Sequence, residues 1–379
     1  MESMATYPAA RAVATRVLPR LQRHPAHGSQ SHPPEKTAPV PAVDVIEAMV
    51  EAGFWASLRR EEGRTPLLSL AFVGPGQAPG ALVLEHAVEL SPEPLTRLAP
   101  AVERPGIHLG VWGQQGALRV WGATRSLPHG CFVLEVIAPG FLILKQSPPD
   151  TGGKFVNLAV LEGNEIRIIG QEMPPDGPAL VKSLFEFESP YPGTASANVL
   201  IQLAASMRAR GHGGALLVVP ANTNSWRESI AAPVLYSLAP PSSVLADLMN
   251  AGENTRNTRP WQDALDRAVD AVAGLTAVDG ATILSERYEL LAFGAKIVRR
   301  RGSPLVSRIV MMEPVEDSRP ESIEPTQLGG TRHLSAAQFA SDQRDSVALV
   351  ASQDGRFTVL AWCSSEQVVQ AHRIETLLF

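Results

Sequence analysis

Residues 261–297 read WQDALDRAVDAVAGLTAVDGATILSERYELLAFGAKI, and the change of period inside them decides the fold class. Residues 261–272 place apolar side chains at helical spacing. ATILS (281–285) and YELLAFGAKI (288–297) are then short apolar runs across a Glu286-Arg287 turn, which predicts a strand pair. The same alternation continues on both sides. Upstream, residues 199–210 have helical period, end at Gly211 and run into ALLVVP (215–220), a strand apolar enough to be buried. Residues 243–250 form a further helix. Downstream come SRIVMM (307–312) as a strand, the polar, proline-bearing run 313–328 as a loop, and residues 333–340 as a helix. SVALVAS (346–352) and FTVLAW (357–362) follow as strands about an Asp354-Gly355 hairpin turn. This predicts an α/β domain over 189–379, a mixed sheet with flanking helices.

The preceding residues have a different texture. Helical spacing over 44–60 is followed by LLSLAFV (67–73) and ALVLE (81–85), separated by GPGQAPG. The glycines of that loop, at 74, 76 and 80, miss the dinucleotide-binding fingerprint. Ser91-Pro92 opens a short helix, as a cap followed by proline at the first turn. GIHLGVW and LRVWG flank GQQG, CFVLEVIA and FLILK flank Pro139-Gly140, and KFVNLAVL and IRII flank EGNE, three hairpins in a row. Residues 41–188 therefore read as an N-terminal α+β, β-rich domain with a largely antiparallel sheet. The composition shift at ESPYPGTAS marks its end. Residues 1–40 read as a helix over 8–23 and a linker. His24, His27 and His32 fall in that linker among prolines, which argues against a preorganised metal site.

Composition bounds the function. Of 379 residues 45% are apolar and 19% charged, below the usual ~25%, so wholesale disorder is excluded. No apolar run reaches the roughly 18 residues that span a bilayer. Net charge is −5, so non-specific nucleic-acid binding is not expected. The 28 arginines against 5 lysines reflect base composition rather than a recognition surface. The first 24 residues lack the apolar core of a secretory signal, and a cytoplasmic location is the simplest expectation. Cys131 and Cys363 lie in strand-like contexts and read as buried thiols.

Two segments can carry chemistry. Val278-Asp279-Gly280-Ala281 lies where a helix hands over to a strand, and Gly329-Gly330-Thr331-Arg332-His333 opens a helix. The glycines of the second allow close approach of backbone to a ligand, and the helix start offers unpaired N–H groups to an anion. Thr331 adds a hydroxyl and Arg332 a bidentate phosphate donor. The same residues also read as plain capping, with Thr331 as N-cap. Asp279 can hold a divalent ion or face a ribose hydroxyl, or serve only as a turn aspartate.

Taken together, Asp-Gly-Ala, then Gly-Thr-Arg-His at a helix start, then a strand ending in Ser352 resemble the diadenylate cyclase family over about 190–365. RGHGGALLVVP resembles that family's opening helix and first central strand. The chain further resembles the cyclase-related probable sensor proteins that join such a domain to a distinctive N-terminal region. The resemblance implies nucleotide binding by Asp279, Gly280, Ala281, Gly330, Thr331, Arg332, His333 and Ser352. Asp279 would be the catalytic residue of an active member and the ligand of magnesium or manganese. It also implies an adenine nucleotide or a cyclic dinucleotide as ligand, and a homodimer where two ATP are condensed. Two departures weigh against catalysis: Leu334 stands where the family motif ends in arginine, and Gln353-Asp354 replaces an acidic pair. A nucleotide-binding sensor is thus the first expectation and an active diadenylate cyclase the second. Arg299-Arg300-Arg301 reads as a solvated hairpin tip or a phosphate or partner contact. His212 reads as a loop residue, and Trp55, Trp112, Trp121 and Trp362 as core.

Overall fold

A computed structural model of the chain describes residues 6–23, 37–114, 117–147, 155–170, 199–256 and 258–378. The linker histidines and the segment 186–195 lie outside them. The chain divides into two compact units, residues 1–170 and 171–379.

The first unit holds α1 (Pro8–Arg23), α2 (Val43–Ser57), α3 (Pro92–Val102) and eight strands. The strands are β1 (Leu68–Phe72), β2 (Leu82–Glu89), β3 (His108–Gln114), β4 (Ala117–Thr124), β5 (Phe132–Ala138), β6 (Phe141–Gln146), β7 (Val156–Glu162) and β8 (Glu165–Ile168). They form one sheet in the order β2-β4-β3-β1-β5-β6-β7-β8, antiparallel except for the parallel pair β1/β3. Leu68, Leu70 and Phe72 of β1 pack with Val13, Val17 and Leu21 of α1 and with Ile46, Met49 and Val50 of α2. The alternate residues Ala71 and Val73 pack on the other side with Trp121, Cys131 and Val133. Burial on both faces explains the unbroken apolar run LLSLAFV. The sequence reading sets residues 1–40 apart, whereas α1 contributes to the core of this unit.

The second unit holds a nine-stranded sheet. Its strands are β9 (Gly214–Val219), β10 (Tyr236–Ser242), β11 (Ala281–Ser285), β12 (Leu290–Ala295), β13 (Ile309–Met312), β14 (Glu321–Ile323), β15 (Val347–Ala351), β16 (Phe357–Cys363) and β17 (Val368–Arg373). The order is β10-β12-β11-β9-β15-β16-β17-β13-β14, with β9/β11 and β13/β17 parallel. Its helices are α4 (Val199–Ala209), α5 (Val244–Met249), α6 (Glu253–Arg256), α7 (Arg259–Leu275), α8 (Pro325–Leu328) and α9 (Thr331–Asp342). Ala336, Ala337, Phe339 and Ala340 of α9 share a core with Leu217, Val219, Ile283, Val350 and Leu360. Leu216 and Val218 face the other way, α4 packs on β15, and α7 packs on α4.

The architecture is α/β with two large mixed sheets, as the alternation predicts. Two local expectations need correction. The run 313–328 contains β14 and α8 rather than a plain loop. The N-cap of α9 is Gly330, with Thr331 already inside the helix. Strands β10 and β17 carry no expectation at all. Trp121 and Trp362 are buried, whereas Trp55 and Trp112 are only partly so.

Candidate functional site

The register of the second sheet gathers five segments at one end. Gly214 pairs with Ala351, Ala215 with Ala281, and Ala281 with Ala295. The residues just beyond these pairs are Gly213, Asp279-Gly280, Lys296 and Ser352-Gln353, and α9 brings Arg332 to them. Gly280 sits at φ +116°, and a Cβ there would stand 2.4 Å from the Gly294 carbonyl carbon. Only glycine permits this approach, which fixes the Asp279 corner against β12. Gly213, at φ +67°, lies close to Arg332: a Cβ at 213 would be 3.2 Å from Arg332 Nη1 and 3.3 Å from the Ala351 carbonyl oxygen and Gln353 Cγ.

Asp279 is open to solvent, its side chain 86% exposed, and it ion-pairs with Lys296. The hydrogen bond from Lys296 holds its carboxyl below the usual range. The charge of Lys296 adds to this, and that of Arg332 contributes further. Arg332 and Asp279 therefore share one electrostatic neighbourhood although they start from different elements. Gly330 is exposed, and a Cβ there would meet nothing within 4 Å. Thr331 is exposed beside it.

His333 is turned inward. Its ring is buried, with Nε2 3.4 Å from Thr358 Oγ1 and Nδ1 against Gly329. Burial lowers its pKa, and the nearby Asp354 opposes that shift. Ser352 is partly buried, and its hydroxyl hydrogen-bonds the Asp354 carboxylate. That carboxylate also accepts the Arg356 N–H at 3.2 Å. Ala281 is the buried first residue of β11. Of the eight residues singled out by sequence, Asp279, Gly280, Arg332 and Ser352 thus border the sheet end, Gly330 and Thr331 line the open helix start beside it, and Ala281 and His333 support it from within. Leu334 is partly buried, and Gln353 and His212 are exposed.

Sequence reasoning missed Lys296, Gly213 and Gly294. An isolated glycine inside the apolar run LLAFGAKI is the available signal, since glycine in a strand marks a bulge or a close backbone approach. Lys296 is legible only once the β11/β12 pairing, which ends at Ala281↔Ala295, brings it within reach of Asp279.

Away from the corner, α9 holds the arginine-rich loop. Gln338 Nε2 donates to the Pro304 carbonyl at 3.0 Å, and Gln338 Oε1 accepts the Val306 N–H at 3.1 Å. Asp342 Oδ2 accepts the Arg300 N–H at 2.7 Å. Arg300 also ion-pairs with Glu228 at 2.7 Å, and Arg299 and Arg301 are exposed.

Asp279 is a single exposed carboxylate paired with the Lys296 ammonium, and among the described residues no group of three or more His, Cys, Asp and Glu is placed to hold a metal ion, so magnesium or manganese held by Asp279 would need oxygens of a bound phosphate to complete its shell. No helix among the described residues is long and apolar enough to cross a membrane.

Residues 35–125 match a family model described as the probable sensor domain DACNV. No curated protein matches the chain. The matched stretch spans α2, α3 and β1 to β4 of the first unit and does not include the sheet-end corner of the second.

Proposed function

We propose that the chain is a nucleotide-responsive sensor whose second unit binds an adenine nucleotide or a cyclic dinucleotide at the sheet end bounded by Gly213, Asp279, Lys296 and Arg332. The observation that carries the reading is the Arg332 guanidinium, which reaches Gly213 with Nη1 and lies in the field of the exposed Asp279–Lys296 pair. A fork of N–H donors next to an open helix start suits phosphate oxygens, and an exposed carboxylate nearby suits sugar hydroxyls. The sensor-type match in the first unit supports a signalling role over a metabolic one.

Binding is favoured over cyclisation. Leu334 and Gln353 leave the corner without the cation and the carboxylate of the cyclase motif. Asp279 stands in an exposed ion pair with Lys296. Losing one group that stabilises developing charge costs roughly 10²–10³ in rate, whereas ground-state binding retains Arg332 and the helix start. Binding needs one copy of the chain, and cyclisation needs two.

Calorimetry with ATP and with cyclic di-AMP, on the wild type and on Arg332→Ala, tests the reading. A charge-assisted hydrogen bond is worth about 1.5–3 kcal/mol, so the variant should bind roughly tenfold or more weakly. Equal affinity in a folded variant would sink the phosphate assignment. Cyclic di-AMP accumulating when the wild type is incubated with ATP and magnesium or manganese would replace the sensor reading with the cyclase one.

A further inference from the structure

We propose that Tyr236 and Phe293 form a stacking shelf for the purine base of the nucleotide, a proposal that rests on the binding reading above and extends it to base recognition. The two rings are nearly parallel, with centroids 4.7 Å apart and planes 7° from each other. Tyr236 is 47% exposed and its neighbour Leu235 71% exposed, at the start of the edge strand β10. An aromatic pair with an open face, on a strand whose Pro240 and Pro241 blunt further pairing, is a surface for a ring rather than for another strand.

The shelf is built into the same corner. Between Ala281↔Ala295 and Ile283↔Ala292, two residues of β12, Phe293 and Gly294, oppose one residue of β11. This bulge, with Gly294 at φ +62°, re-aims Phe293 toward β10. A Cβ at Gly294 would stand 2.8 Å from Tyr236 Cδ2, so the missing side chain is what lets the tyrosine ring settle there. On its backbone side Gly294 meets Gly280, the residue after Asp279. Ring, bulge, carboxylate corner and guanidinium therefore follow one another along the sheet end, from β10 through β12 and β11 to β9. That sequence is the order base, ribose, phosphate in a nucleoside phosphate. Stacking on an aromatic side chain tolerates any base but rewards the larger purine surface.

The test compares ATP, UTP and inorganic triphosphate by calorimetry on the wild type, Tyr236→Ala and Tyr236→Phe, each shown to be folded by thermal melting. Stacking is worth roughly a five- to 150-fold change in affinity per base. Tyr236→Ala should lose that factor for ATP and keep the wild-type affinity for triphosphate, Tyr236→Phe should keep both, and the wild type should prefer ATP to UTP. Wild-type ATP affinity in Tyr236→Ala overturns the shelf while leaving the phosphate corner standing. Equal loss of ATP and triphosphate in that variant also overturns it, because the ring would then be shaping the corner rather than holding a base. If the wild type binds neither ATP nor triphosphate, the binding reading falls and the shelf with it. If Tyr236 instead covers a second copy of the chain, Tyr236→Ala will change the light-scattering mass without changing ATP affinity.

Discussion

Gly280→Ala adds one methyl group at the tightest point of the site. The residue sits at φ +116°, outside the regions that alanine adopts without cost, and such backbone strain is worth about 1–3 kcal/mol. The new Cβ would stand 2.4 Å from the Gly294 carbonyl carbon, 2.7 Å from its oxygen and 2.8 Å from the Ala295 nitrogen. All three are backbone atoms of a paired strand, so no side chain can rotate away, and overpacking adds roughly 1–3 kcal/mol. The expected destabilisation of the second unit is about 2–6 kcal/mol. At roughly 2–4 °C per kcal/mol for a unit of this size, its melting temperature should fall by at least about 4 °C. The control is Gly330→Ser, where a Cβ meets nothing within 4 Å and serine is a favoured N-cap residue. That variant should melt at or above the wild-type temperature while weakening ATP binding, because its side chain projects from the open helix start. Calorimetric melting of both variants against wild type checks the pair. A Gly280→Ala protein melting within about 1 °C of wild type would refute the argument that the Gly280–Gly294 approach fixes the corner.

Three further outcomes follow from the geometry. His108, buried with Nδ1 2.8 Å from Ser69 Oγ, has its pKa lowered to about 4, chiefly by burial. The folded chain then binds fewer protons than the unfolded one between pH 6.5 and 4, so stability is lost as pH falls through that window. The loss is about 2 kcal/mol at pH 5, and urea unfolding at pH 7 and 5 should show it shrinking by that amount in His108→Gln. Cys131 is free and buried, its thiol pushed up to about 12, leaving a thiolate fraction of ~10⁻⁴ at pH 8. A chromogenic disulfide reagent should label it only after unfolding, and rapid native labelling would contradict the burial. Gln338→Leu removes two hydrogen bonds to the loop at Pro304 and Val306 and should speed Val306 amide exchange by about tenfold, read by hydrogen–deuterium exchange.

Apolar runs made most of the two sheets legible in advance. The strands within LLSLAFV, ATILS and SVALVAS are buried on both faces, and that within CFVLEVIA is so over its first half, so they read as strands without needing alternation. β17 escaped because Gln370 and His372 sit buried among its valines, and a polar residue in mid-run breaks the pattern that marks a strand. β10 escaped because of Pro240 and Pro241, which an edge position tolerates and a central one does not. At the site, motif order pointed to Asp279 and Arg332. The partner of Asp279 was hidden, because Lys296 reaches it only through the bulged register of β11 and β12. The inward turn of His333 was equally hidden, since it depends on the phase of α9 against Gly329 and Thr358.

The placement of β9 has a consequence for the order in which the protein acquires its shape. Gly214 takes Ala351 as partner and Ala215 takes Ala281, so the loops bearing Gly213, Asp279 and Ser352 come from distant stretches of chain. Gly213 meets Asp279 only when β9 pairs with β11, and meets Ser352 only when β9 pairs with β15, and such long closures slow folding because their entropy is lost before contacts reward it. The complete corner is therefore absent from any fragment that ends before β15. A ligand held there clamps the completed sheet, adding about 2.7 kcal/mol at a hundred times its Kd. During refolding, protection of the β9 amides and the capacity to bind ATP should consequently appear together.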